Sequence, residues 1–257
     1  MFKKVICIVL STILLVGCSS NSKNTNYDSE FLTSLSKGLD KRWKDTDKYP
    51  DESAKNYKLY INDELNEVKD YGDKKFKNDK LKELAIRYIN VLKEGKEIAS
   101  NFGADSFEDQ WSEHQNKRYE LLVEINSISE IPVQDKDGLG EILAGGKEVK
   151  RDNEVRKDLE NIINSADFKQ DDSNSYLPKY SAVVENTTGY DIEALTVEVS
   201  LFDENDVLYN TTYINVNNWK KGTKAKLEFL DTDDKEGTYE FSLKHYEVKW
   251  FSGIVKI

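Results

Sequence analysis

Sulfur, imidazole and proline are scarce in this chain, whose 257 residues include two cysteines, one methionine, two histidines and three prolines. Each shortage excludes something. Two cysteines permit at most one disulfide and no all-cysteine zinc site, so stability must come from packing. The two histidines, His114 and His245, leave few candidates for proton transfer near neutral pH. Beyond the amino-terminal segment, no apolar run approaches the roughly eighteen residues of a membrane span. Bases are outnumbered, with 37 Lys and Arg against 48 Asp and Glu and a formal net charge of -11, a balance that disfavours nucleic acid and anionic lipid as partners.

What is present begins at the amino terminus. Met1 and Phe2 are followed by Lys3-Lys4, an apolar run from Val5 to Val16, and Leu15-Val16-Gly17-Cys18 at its foot. A basic start, an apolar stretch of about a dozen residues and a small residue before the cut describe a secretory signal, too short for a stable span. The alternative is an ordinary signal peptide with an incidental cysteine. The stretch resembles the lipobox of bacterial lipoproteins, in which a diacylglyceryl group joins the cysteine thiol and the leader is cut just before it. That resemblance implies a lipid attachment at Cys18 and an address on the outer face of a Gram-positive cell membrane. Cys7 would leave with the leader, and a lipidated Cys18 cannot pair, so the mature chain would have neither a disulfide nor a cysteine metal site. Losing Lys3 and Lys4, with no acid in residues 1–17, takes the charge from -11 to -13. More than one acyl chain is needed for stable anchoring, and a diacylglyceryl group supplies two.

Organisation follows from periodicity. Residues 1–17 read as signal peptide and 18–28 as the lipidated cysteine with a polar tether. Residues 29–130 have helical period and predict a bundle of antiparallel helices. Asp28 or Ser29 is expected to cap a first helix with Phe31, Leu32, Leu35, Leu39 and Trp43 on its stripe. Pro50-Asp51-Glu52 is expected to open a second, carrying Ala54, Tyr57, Ile61, Leu65 and Val68. A third starts at Asp79 with Leu81, Leu84, Ala85, Tyr88, Leu92 and Ile98 and stops at Gly103. The fourth has the most regular seam: Phe107, Trp111, His114, Arg118, Leu121, Ile125 and Ile128, with His114 and Arg118 as polar interruptions. His114 reads as a packing residue.

Residues 131–175 read as a Gly-containing loop to about Gly146, a helix over about 147–166, and a linker at Asp171–Ser175. An EF-hand around Gly138 fails because Val133 and Ala144 occupy ligand positions. A phosphate loop over Gly140–Lys147 fails because Glu148 stands where a hydroxyl is needed. From residue 176 to 257 the period is two. Strands are expected at Tyr180–Glu185, Leu195–Leu201, Val207–Val216, Ala225–Phe229 and Tyr239–Leu243, with one or two more over Val248–Ile257, as an up-and-down antiparallel β-sandwich. The fold class is therefore α+β.

Val183-Val184-Glu185-Asn186, Val199-Ser200-Leu201-Phe202-Asp203 and the Lys221-Gly222-Thr223 turn resemble the FxLYD-type domain, an immunoglobulin-like module of Gram-positive surface lipoproteins. Leu35-Ser36-Lys37-Gly38-Leu39 and Lys82-Glu83-Leu84-Ala85 are similar to the amino-terminal region of uncharacterised lipoproteins of the same bacteria. The resemblance implies an address and an architecture and carries no catalytic residue. Two poles of the expected sandwich gather chemistry. Asp203, Glu204, Asp206, Asp231, Asp233, Asp234 and Glu236 read as solvated turns, with a hard cation such as calcium as the alternative. Thr187, Thr188, Gly189, Tyr190, Asn215, Asn217, Asn218 and Trp219 could hold a sugar or peptide if the Trp219 indole is exposed, or plug the sandwich if it is not. Asn186-Thr187-Thr188 and Asn210-Thr211-Thr212 match a glycosylation acceptor.

The expected function is a membrane-held extracellular binding or scaffolding module with no enzyme activity, cofactor or metal. Its expected partners are the membrane through its lipid and a protein or cell-wall component. A cell-envelope hydrolase and an accessory substrate-capturing lipoprotein are the alternatives.

Overall fold

The computed structural model describes residues 26–170, 178–233 and 237–249. It is an α+β structure, with five helices followed by two antiparallel three-stranded sheets. The chain divides into two compact units, residues 1–139 and 140–257. No described helix is long and apolar enough to cross a membrane.

In the first unit, α1 (Asp28–Lys48), α2 (Ala54–Val68), α3 (Asp79–Ile98) and α4 (Phe107–Ile128) pack in sequence order, each against the next. The predicted stripes form the core: Phe31, Leu35 and Leu39 of α1, Ile61 and Val68 of α2, Leu84, Ala85 and Leu92 of α3, and Leu121 and Ile125 of α4 are buried. Trp43 and Ile128 are only half-buried.

Two helix starts differ from expectation. Asp28 lies inside the first turn of α1, and its carboxylate accepts the Lys77 and Asn78 amides at 2.8 and 3.2 Å, tying the α3 approach to the start of α1. Helix α2 opens after Ser53, whose hydroxyl accepts the Asn56 amide at 3.2 Å, and not at Pro50. Residues 49–51 are held instead by side chains, with the Tyr60 hydroxyl donating to Tyr49 O and the Asn56 amide to Asp51 O. Asn78 caps α3 by accepting the Leu81 amide at 3.0 Å.

The expected loop through Gly146 is a helix. Helix α5 runs continuously over Lys136–Asn164, Gly138, Gly140, Gly145 and Gly146 included. Asp135 starts it, accepting the Gly138 amide on Oδ1 at 2.9 Å. Four glycines weaken a helix by about 1 kcal/mol each relative to alanine, and the buried Leu139, Ile142, Val155, Leu159 and Ile163 outweigh that cost along its length. The true interruption is short. In residues 131–134, Ile131 and Val133 are buried, the Ser36 hydroxyl donates to Pro132 O, and the Gln134 amide donates to Asp40.

The second unit holds six strands: β1 (Lys169–Gln170), β2 (Lys179–Glu185), β3 (Ile192–Asp203), β4 (Leu208–Trp219), β5 (Lys224–Leu230) and β6 (Gly237–Val248). β1 was not foreseen, and the predicted strands beyond Val248 and the predicted linker at 171–175 lie outside the described residues. The strand order is β1-β2-β5 in one sheet and β4-β3-β6 in the other. The up-and-down run is therefore corrected: β4 to β5 and β5 to β6 each cross between sheets. Both sheets have an apolar face to cover, and the crossings let Leu195, Val197, Val199 and Leu201 of β3 share one core with Leu227 and Phe229 of β5. Val155, Leu159, Ile162 and Ile163 of α5 join that core, together with an aromatic group in which Tyr180 stacks on Phe229 at 5.1 Å.

A close approach in the first unit depends on one glycine. A Cβ on Gly38 would lie 2.8 Å from Glu64 Cα and 3.3 Å from Asp63 O, both of the α2 backbone. Gly38→Ala gains about 1 kcal/mol of helix propensity but overpacks a backbone contact at about 1 to 3 kcal/mol, so urea unfolding should show net destabilisation. Gly140→Ala, where nothing lies within 4 Å, should instead stabilise.

Candidate functional site

Four helices each send one polar side chain from their apolar stripe to a common point. Arg42 follows Leu35 and Leu39 on α1, Glu64 follows Tyr57 and Ile61 on α2, Tyr88 follows Leu81 and Leu84 on α3, and Arg118 follows Trp111 and His114 on α4. Glu64 is the centre and has no solvent exposure. Its Oε1 lies 2.8 Å from Arg42 Nη1 and 2.8 Å from Arg118 Nη2. Its Oε2 accepts Arg118 Nε at 3.0 Å and the Tyr88 hydroxyl. Three hydrogen bonds, from Arg42, Arg118 and Tyr88, thereby reach the two carboxylate oxygens. Arg42 Nη2 also donates to Gln115 Oε1 at 3.3 Å.

The electrostatics follow from this geometry. Burial pushes Glu64 up, but Arg118 and Arg42 outweigh it and hold the carboxyl below the usual range. Burial, with Glu64 beside it, pushes the Tyr88 phenol far above its usual value, so it stays a donor. Burial and repulsion from Arg118 lower Arg42, though guanidinium basicity keeps both arginines charged. Two cations share one anion, so the cluster carries a net charge of about +1. Beside it, Lys41 Nζ lies 2.8 Å from Asp63 Oδ1, and burial outweighs that half-exposed partner to raise the Asp63 carboxyl.

His114 lies one turn before Arg118 on the same seam and is 1 % exposed. Its ring fills a notch at Gly95, where a Cβ would lie 2.3 Å from Cε1, and rests 5.2 Å from the Trp111 ring. Neither ring nitrogen has a hydrogen-bond partner. Burial, then Arg42 and Arg118, lower its pKa to about 3, so the ring is neutral. The carboxylate of this cluster is engaged at both oxygens and its imidazole is enclosed. What the cluster can do is join helices in one register.

The sandwich poles come out differently. Asp203 and Asp231 sit at the same end, since Asp203 pairs with Gly237 and the Asn210 amide donates to Thr232. Their carboxylates serve local structure. Asp203 Oδ1 accepts the Asn205 and Val207 amides, while buried Asp231 accepts the Tyr209 hydroxyl at 2.8 Å and the Asp233 amide at 3.0 Å. Glu204 and Asp206 belong to the β3–β4 turn, Asp206 with a φ of 59°. Asp234 and Glu236 lie outside the described residues. Among the described residues no three His, Cys, Asp or Glu side chains group as metal ligands.

At the opposite pole Trp219 is 3 % exposed and its indole donates to Thr223 O at 3.0 Å, so of the two readings it is the plug that the burial supports. Asn186, 1 % exposed, donates to Tyr190 O and Trp219 O and accepts from Thr188, which removes it as a glycosylation acceptor. Cys18 lies outside the described residues. A hollow of about 490 Å³ at the start of β6 is lined by Asn164, Ala166, Tyr239, Glu240 and Phe241.

Sequence reasoning singled out His114 and Arg118 and placed Tyr88 on an apolar stripe, but passed over Arg42 and Glu64. The available signal was opposite charges at stripe positions of different helices. Compared with known proteins, the chain matches no family model, no curated protein and no solved structure.

Removing the central anion leaves two buried guanidinium groups facing each other. Glu64→Gln should cost about 3 to 5 kcal/mol in urea unfolding of the whole chain, against under about 1 kcal/mol for breaking the exposed Lys80–Glu83 pair.

Proposed function

We propose that the chain is a lipid-anchored protein of the outer membrane face, held through Cys18, that works as a non-catalytic binding or scaffolding module. The observation that carries this reading is the Lys3-Lys4, apolar run and Leu15-Val16-Gly17-Cys18 order of the amino terminus. We further assign the two-sheet unit to the immunoglobulin-like FxLYD type. Supporting that assignment are its two antiparallel three-stranded sheets around one core and the Lys220–Thr223 turn, in which the Thr223 amide donates to Lys220 O at 3.1 Å.

Three features favour a module that presents surfaces. Buried polar groups in both units hold elements together, as with Glu64 among four helices and Asn186 between Tyr190 and Trp219. The hollow at β6 is lined by a single carboxylate, Glu240, whereas a hydrolase acting through an acid-base pair needs two. Helices and strands are segregated along the chain, where a two-lobed substrate trap would alternate them. The acidic surface, at -11 for the whole chain, favours a basic or cationic partner over nucleic acid.

Expression in a Gram-positive host with a clickable palmitate analogue tests the anchor. The wild-type chain should take up label and sediment with membranes. Cys18→Ser should lose the label and appear in the medium. An unlabelled wild-type chain, or one retaining its leader by mass spectrometry, overturns the reading.

A further inference from the structure

We infer that His114 makes the helical unit acid-sensitive: lowering the pH through about 6.5 progressively weakens the packing of its helices, because the folded unit offers an imidazolium no acceptor. The geometry leaves no acceptor. Both ring nitrogens are without a partner, and the ring is packed into the Gly95 notch against Trp111, with Ile61 Cδ1 bordering the same notch. The one buried carboxylate of the cluster, Glu64, is already occupied at both oxygens by Arg42, Arg118 and Tyr88.

The charged groups around the ring oppose a further cation. From α1 it faces Arg42, from α2 the engaged Glu64, and on its own helix Arg118 and Lys117. From α3 comes Glu94, which lies 3.3 Å from Lys117 Nζ, and Tyr88, which donates to Glu64. A proton on His114 would thus add a cation to a cluster that already holds two arginines and one carboxylate.

The sign follows from linkage. In the unfolded chain the imidazole has its ordinary pKa of about 6.5, while in the folded unit it stays neutral far below that. The unfolded state therefore binds the extra proton. Stability is fully present above about pH 6.5 and is lost as the pH falls, the folded-to-unfolded ratio dropping about tenfold per pH unit while His114 remains neutral in the fold. Asp63, raised by burial, acts in the opposite sense at lower pH, so the diagnostic window is pH 6.5 to 5. This inference does not depend on the lipid anchor.

The other histidine, His245, lies outside the helical unit, half-exposed on β6 with Nε2 3.3 Å from Glu247, so its ring signals are distinguished by a His245→Gln variant. Imidazole NMR of the intact protein across pH 7.5 to 4.5 should show the His114 ring neutral for as long as the amide signals of residues 28–128 keep their folded positions. Urea unfolding followed through those signals should show the tenfold-per-unit loss in the wild type, and His114→Leu should flatten it. Protonation of His114 between pH 7.5 and 5 with the helical signals unmoved overturns the inference. So does equal stability of the helical unit at pH 6.5 and 5, or a His114→Leu variant with the wild-type slope. If His114→Leu does not fold, the wild-type ring titration and slope decide alone.

Discussion

A single buried carboxylate sets the arrangement of the helical unit. Glu64 is reached by Arg42, Tyr88 and Arg118 from three other helices, so α1 to α4 can be joined in only one rotation and height relative to it. An apolar seam of leucine and isoleucine tolerates sliding, because dispersion contacts are non-directional. A buried carboxylate bonded at both oxygens does not, since any slip strands a buried charge. Glycine makes the close contact possible: Gly38, one turn before Arg42 on α1, lets that helix lie against the backbone at Asp63 and Glu64. The net energetic value of such a cluster is small or negative against a well-packed apolar substitute, and its product is registry.

The sheet unit is held differently. Its sheets share one apolar core, and polar side chains pin the crossings between them: Tyr209 of β4 to Asp231 just after β5, and Trp219 of β4 to Thr223 just before β5. Asn186 does comparable work by bonding Tyr190 O and Trp219 O, closing the chain where it leaves β2. Residues of the types that bind ligands, an asparagine, a tryptophan and an aspartate cluster, are here spent on turns and crossings.

Most element positions were legible from periodicity. The stripes on α1 to α4 and the alternation in β3 are strong signals because each element buries one face along its whole length. The errors fall where local signals competed. Four glycines suggested a loop over residues 131–146, yet the burial of Leu139 and Ile142 and the start supplied by Asp135 carry α5 through them. Pro50 suggested a helix start, but Ser53 offers the hydroxyl that satisfies a free amide. Two residues of β1 are too few to leave a pattern.

By itself the sequence determined the class of the chain, a helical part followed by a period-two part, and the reliance on packing where cysteine is scarce. Both are properties of neighbouring residues, and solvent exclusion acts on them wherever the segment lies. Only the tertiary structure decided that Arg42, Glu64, Tyr88 and Arg118 meet, that His114 is enclosed with no partner, and that β4 and β5 belong to different sheets. Those facts depend on residues tens of positions apart, and no spacing along the chain encodes which stripe positions of four helices fall at one level.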